Sequence, residues 1–274
     1  MKYKKILIEP QKGWIGINFK ELFEYRELLG FLALREILAQ YKQTVFGVVW
    51  AVMRPVFSVL MYTLVFGKVA KLSSGGIPYP LFVLCGVLAW SFFQSALTQS
   101  TVSLLANTNL LTKVYFPRLV IPISSLGRGV VDFVISFILL VILMIIYGYV
   151  PTKGIIFFPL FIMIGLNITL GIGFLFSALS AKYHDLQHAI SFFAQMWFWV
   201  TPVAFGLENI PENVKLIFFL NPMTWVVQGF RWSLLGVGEM DWLKILITGL
   251  FSVAVLLGGL FYFRRMESSF ADVI

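Results

Sequence analysis

Charge is scarce in this sequence. Only 12% of its 274 residues are Asp, Glu, Lys or Arg, while 59% are hydrophobic; an ordinary soluble domain carries about 25% charged residues. That balance excludes a water-soluble globular fold and describes an integral membrane protein. A single cysteine, Cys85, excludes an intrachain disulfide. No Gly-x-x-x-x-Gly-Lys-Ser/Thr phosphate loop occurs, so the chain has no recognisable means of hydrolysing ATP. Acids are nearly missing from the apolar stretches: Asp132 alone lies deep, too little for an intramembrane proton relay, and its place four residues after Arg128 reads as a local ion pair. No internal repeat is visible, which argues against an inverted-repeat secondary transporter. The opening residues hold no short apolar core followed by a small-residue cleavage site, so a secretory signal is not expected. Basic residues interleaved with aromatics in the manner of a nucleic-acid module are also lacking.

What is present is a series of apolar blocks near residues 55–72, 80–105, 119–149, 155–180, 187–205 and 242–263. Each is long enough to cross a hydrocarbon core of about 30 Å as a helix. The expected fold is therefore an all-α polytopic membrane protein of six spans. It forms one transmembrane domain over 1–274, divided into an N-terminal segment 1–54, a six-span region 55–263 and a tail 264–274. If the spans alternate, fifteen of the 21 Lys and Arg fall on the side of the termini and six on the other. The positive-inside rule then places both termini in the cytoplasm, and the net charge of +8 reads as orientation and contact with anionic lipid headgroups.

Ahead of the first span, Phe31, Leu34, Leu38, Tyr41 and Val45 recur at steps of three and four. This spacing predicts an amphipathic helix lying at the membrane surface, where Arg35 and Lys42 can snorkel to headgroups. Arg54 stands at its junction with the first span. A simple membrane anchor is the plainer alternative. In the second span Ser91, Gln94, Ser95, Thr98 and Thr101 share one broad helical face, which either joins helices or borders water.

Residues 106–122, "ANTNLLTKVYFPRLVIP", read as a structured elbow whose apolar surface suits docking. At the far side, Asn209 with Pro211 and Asn221 with Pro222 predict two short helices near 211–220 and 222–235. Neither is long enough to span, and their aromatics favour dipping into the outer leaflet and returning. His184 and His188, with Asp185, have a metal-compatible spacing but no further ligand nearby. The run Phe192, Phe193, Trp197, Phe198 and Trp199 is an interfacial belt by default, or a surface on which sugars stack.

Together these residues resemble the polysaccharide-exporting permeases of the ABC-2 class. The resemblance is carried by Arg26, the Arg35-Glu36 pair, Tyr41-Lys42-Gln43-Thr44, Gly47, Trp50 and Pro55. It continues through "KVYFPR" at 113–118, Asp185, Thr201-Pro202-Val203 and "LNPMTWVVQGFR" at 220–231, and so covers nearly the whole chain. His184 and Trp225 depart from the usual pattern of that class, which leaves the roles of those two positions open.

The resemblance implies a non-enzymatic inner-membrane homodimer that binds two separate ATPase subunits. These carry the ATP and magnesium, while this chain holds no cofactor. The complex would export an undecaprenyl-type lipid-linked polysaccharide, with no nucleic-acid partner. On this reading Asn109, Leu110, Leu111, Lys113, Tyr115, Phe116, Pro117 and Arg118 contact the ATPase. Arg35, Tyr41, Lys42 and Arg54 form an inner-leaflet gate for the headgroup. Ser91, Gln94, Ser95, Thr98, Thr101, Phe193, Trp197 and Phe198 line the channel, and Phe218, Phe219, Trp225 and Phe230 belong to re-entrant helices that close it outside. The alternatives are an ABC-2 permease for a drug or small lipid, and a membrane-embedded lipid-modifying enzyme using His184, Asp185 and His188.

Overall fold

A computed structural model of the chain describes residues 19–41, 47–267 and 270. Its described residues are helical, without strands. Helices α1 (Phe19–Glu24) and α2 (Arg26–Tyr41) precede α3 (Gly47–Tyr62), which continues into a π-helical turn, Thr63–Val69. The long α4 (Tyr79–Ala106) leads into the short α5 (Thr108–Lys113) and α6 (Val120–Ser124), and then α7 (Leu126–Ile146). There follow α8 (Phe158–Lys182), α9 (Leu186–Trp199), α10 (Glu212–Leu220), α11 (Pro222–Leu235) and α12 (Trp242–Glu267).

Among the described residues, five helical segments are long and apolar enough to cross a membrane: Val49–Val69, Tyr79–Ala106, Val120–Ile146, Lys153–Lys182 and Trp242–Glu267. The remaining expected block, 187–205, forms a helix of only 14 residues, about 21 Å at 1.5 Å per residue. Its end has a local cause: Pro202 supplies no N–H and disfavours helical geometry at Thr201, so the chain turns after Trp199. The two expected short helices form as α10 and α11, within a residue of the anticipated boundaries.

The bundle is built around α4. Leu81 to Trp90 are buried without interruption, and α3, α7, α8, α9 and α11 pack around the helix. By contrast α3, α7 and α12 keep much of their apolar surface exposed, as helices bordered by lipid do. Helices α8 and α12 approach each other closely. A Cβ on Gly259 would lie 2.0 Å from the Gly171 carbonyl oxygen, so these backbones meet only because both positions are glycine.

Helix α2 is apolar on two faces. Leu32 is 2% exposed and joins a cluster with Leu104, Phe116, Leu119 and Phe263, whereas Phe31, Leu34 and Leu38 are 68%, 57% and 49% exposed. The stripe anticipated from the periodicity thus faces away from the protein, as a helix lying in the lipid interface requires. Lys42 and Val45 lie outside the described residues.

Candidate functional site

The hydroxyl and amide face of α4 opens on a cavity of about 430 Å³. Its walls are Arg54 and Ser58 of α3, Ser91, Gln94, Ser95 and Thr98 of α4, and Arg128, Asp132 and Ser136 of α7. A second cavity of about 260 Å³ shares Ser58, Ser91 and Gln94 and extends past Tyr62, Trp90, Phe198 and Trp199. Gln94 is oriented by the Trp90 indole, which donates to its Oε1 at 3.0 Å. The Thr98 hydroxyl donates to the Gln94 carbonyl at 2.8 Å, so its oxygen is left to accept hydrogen bonds. Phe198 stacks on Tyr62 at 5.6 Å and meets Trp90 edge-on at 5.8 Å, which fixes one aromatic wall. Side by side, these groups offer repeated weak hydrogen bonds and ring faces to a polar chain.

Thr101, Trp197 and Phe193, also anticipated for a lining, lie outside the walls of these two cavities. Thr101 is fully buried: its hydroxyl donates to the Leu97 carbonyl at 2.8 Å, and its own carbonyl accepts from Ser180 of α8. Trp197 turns to the other side of α9, donating from its indole to Asn221 Oδ1 at 2.9 Å and meeting Phe93 edge-on. Phe193 is 60% exposed on the outside of the bundle and lines neither cavity.

Residues 200–205, where α9 ends, are held by Asn221 and Arg231. Asn221 caps α11 by accepting from Met223 N at 3.0 Å, and donates to the Val200 carbonyl at 2.9 Å and to Thr201 Oγ1 at 2.8 Å. The end of α9 and the start of α11 are thereby one unit. Arg231 is 0% exposed, lies 3.6 Å from the Phe82 ring centroid, and donates to the carbonyls of Pro202, Val203 and Phe205. Gly86 makes room for it, since a Cβ there would meet Val203 O at 2.3 Å and Arg231 Nη2 at 2.8 Å.

Among the aromatics anticipated for a gate, Phe218 packs on Phe205, and Phe219 and Trp225 pack together under the Lys244 ammonium. Phe230 is buried against Phe158 and Phe133, inside the core. Asp241 starts α12, accepting from Leu243 N and Lys244 N and pairing with Lys244 Nζ at 2.9 Å. The hydrogen bond from the Lys244 side chain holds its carboxyl below the usual aspartate range.

At the opposite end, α5 presents Asn109, Thr112 and Lys113 to the outside, and Val114 and Tyr115 just after it are exposed too. Leu110 and Leu111 are half-buried on the protein. Phe116 and Pro117 are buried, and Arg118 donates to the Glu267 carbonyl with its guanidinium 5.7 Å from the Phe270 ring. Arg35 reaches from α2 to donate to Asn107 Oδ1 at the head of α5, while pairing with Glu36 at 3.1 Å. Asn107 is held in turn by donating to the Ser103 carbonyl at 2.8 Å. Tyr41 ends α2, and Arg54 lies apart from both, in the cavity wall. His184, Asp185 and His188 are exposed at the turn between α8 and α9, and among the described residues no group of three or more His, Cys, Asp or Glu could hold a metal.

Sequence reasoning missed Arg231, Asn221 and Arg128 as site-building residues. The signal for Arg231 was a guanidinium inside an otherwise apolar helix; for Asn221 it was a helix start whose further partners lie twenty residues back.

Over residues 27–235 the chain matches the family described as ABC-2 type transporter. It is 32% identical over 214 residues to the O-antigen export system permease protein RfbA of Myxococcus xanthus, covering 77% of this chain and 82% of that protein. An RfbA of Klebsiella pneumoniae is 29% identical over 252 residues, covering 90% and 95%. The polysialic acid transport protein KpsM of Escherichia coli is 23% identical over 243 residues, covering 87% and 93%. A polytopic helical bundle whose central helix turns a polar face to a cavity, matched over most of its length by that family, belongs to the ABC-2 type transporters.

Proposed function

We propose that this chain is the permease subunit of an ABC transporter that exports a lipid-linked polysaccharide, such as an O-antigen, across the inner membrane. The polar face of α4 opening on the joined cavities carries the reading, because a hydrated glycan needs many weak contacts and a small apolar cargo needs none of them. The names of the O-antigen export and polysialic acid transport relatives support the same cargo class. Two copies of the chain place their α4 faces around one channel, with the exposed apolar surface of α3 beside it. Energy comes from two ATPase subunits that hold ATP and magnesium and dock on the exposed side of α5. Both termini face the cytoplasm. Helix α9 with residues 200–205 completes a sixth crossing, and α10 and α11 re-enter from the outer side to close the path at rest. Arg35, Lys42 and Arg54 meet the lipid headgroup at the inner leaflet.

The test is removal of the chain from its host. Surface polysaccharide should disappear and lipid-linked glycan accumulate inside; wild-type protein restores export only when the partner ATPase is catalytically intact. Restoration without ATP hydrolysis would favour the lipid-modifying enzyme, and unchanged surface polysaccharide would refute glycan export.

A further inference from the structure

Helix α5 has no buried residue of its own. At six residues it is too short to persist as a helix in isolation, so its place depends on how its two ends are fastened. One end is fastened by Asn107, which donates to the Ser103 carbonyl at 2.8 Å and accepts from Arg35. The other end runs through the exposed Val114 and Tyr115 to Phe116, Pro117 and Arg118. Phe116 is 4% exposed, in a cluster with Leu104 of α4, Phe174 of α8 and Phe263 of α12. Phe270, beyond the end of α12, is 3% exposed in the same cluster.

Arg118 ties these two segments together. Its guanidinium donates to the Glu267 carbonyl in the last turn of α12 and lies 5.7 Å from the Phe270 ring, while Phe270 meets Phe263 edge-on at 5.4 Å. The hydrogen bond is to the backbone, because the Glu267 carboxylate pairs with Arg264 at 2.8 Å. The helix dipole favours a cation near the C-terminal end of α12, and the ring face beside it adds attraction. The support is firm, since Gly171 and Gly259 let the backbones of α8 and α12 meet.

Resting on the export reading, we propose that Arg118 and Phe270 are positioning residues that clamp the far end of the elbow to α12 and so fix where α5 stands for the ATPase. Arg118 thus works inside the chain, and the partner meets α5 itself. Two observations favour this over a guanidinium offered to the partner. Arg118 is half-buried with Nη1 engaged by a carbonyl of its own chain, and the ring beside it is buried as well.

Full-length protein in phosphatidylcholine nanodiscs would be followed by hydrogen–deuterium exchange. Phe270→Ala and Arg118→Gln should each speed exchange at residues 108–116 about tenfold or more, with α9 and α11 as in wild type. The double variant should exchange no faster than the faster single variant. Phe270→Leu, which keeps an apolar plug, should recover most of the protection. Should Phe270→Ala fail to fold, Arg118→Gln decides the matter. Wild-type exchange at 108–116 in the single variants, an equal rise through every helix, or fully additive effects would each overturn the clamp. With the ATPase subunit present, both single variants should still bind it through α5 while export falls about fivefold or more. Loss of ATPase binding in Arg118→Gln with wild-type exchange in the elbow would make Arg118 a partner contact, refuting the clamp and sparing the export reading. Faster elbow exchange in the variants of a chain whose loss leaves surface polysaccharide unchanged supports the clamp and refutes that reading.

Discussion

Arg231 carries a positive charge to a place water does not reach. Among the described residues no carboxylate pairs with it; three backbone carbonyls and the Phe82 ring face hold it instead. Those carbonyls belong to residues 202–205, where the chain leaves helix and has no ladder to satisfy them. Arg231→Met would keep the volume and strand all three acceptors, at a cost on the order of 1–3 kcal/mol for each buried acceptor. The expected result is a melting midpoint lower by about 5 °C or more for the detergent-solubilised full-length protein. An unchanged midpoint would mean that the loop does not depend on this guanidinium. Counting charges along the sequence placed Arg231 among outward basic residues, because a count carries no information on burial.

Among the elements, α5 and α2 act as a pair. Arg35 and Asn107 join the interfacial helix to the head of the proposed docking helix, so displacement of α5 by an ATPase would pull on α2 through one hydrogen bond. If that bond transmits movement, the double variant Arg35→Gln, Asn107→Leu should lose no more export than the worse single variant; fully additive losses would show the two residues acting separately. The exposed surface of the elbow is narrower than its sequence suggested. Tyr115 is 60% exposed and Phe116 only 4%, although they are adjacent. Single cysteines at Thr112 and Tyr115 should therefore crosslink to the ATPase, while one at Phe116 should not. Efficient crosslinking at Phe116 alone would put the contact surface elsewhere.

For the whole molecule, the proposed orientation and sixth crossing make a definite topology. Reporter fusions after Lys71, Lys153 and Lys215 should read outside, and fusions after Lys113, Lys182 and Arg265 inside; an inside signal after Lys215 would remove the crossing assigned to α9 and residues 200–205. Thiol labelling should follow the cavity, with bulky polar reagents reaching cysteines at Gln94 and Thr98 and failing at Thr101. A helical membrane protein, the course of its five long apolar segments, the shortness of α10 and α11 and the elbow at 106–122 were all legible in the sequence. These follow from composition, hydrophobic length and Asn-Pro punctuation, all properties of contiguous residues. Spacing could also say that Ser91 to Thr101 share a face of α4. Tertiary packing divides that face: α8 comes close enough to bury Thr101 while α3 and α7 stand apart over Ser91, Gln94, Ser95 and Thr98. It likewise sent Trp197 to Asn221, Phe230 into the core and Arg128 into the cavity with Arg54. The reason is that helical periodicity assigns a residue to a side of its own helix, whereas the neighbour on that side is set by how distant segments pack.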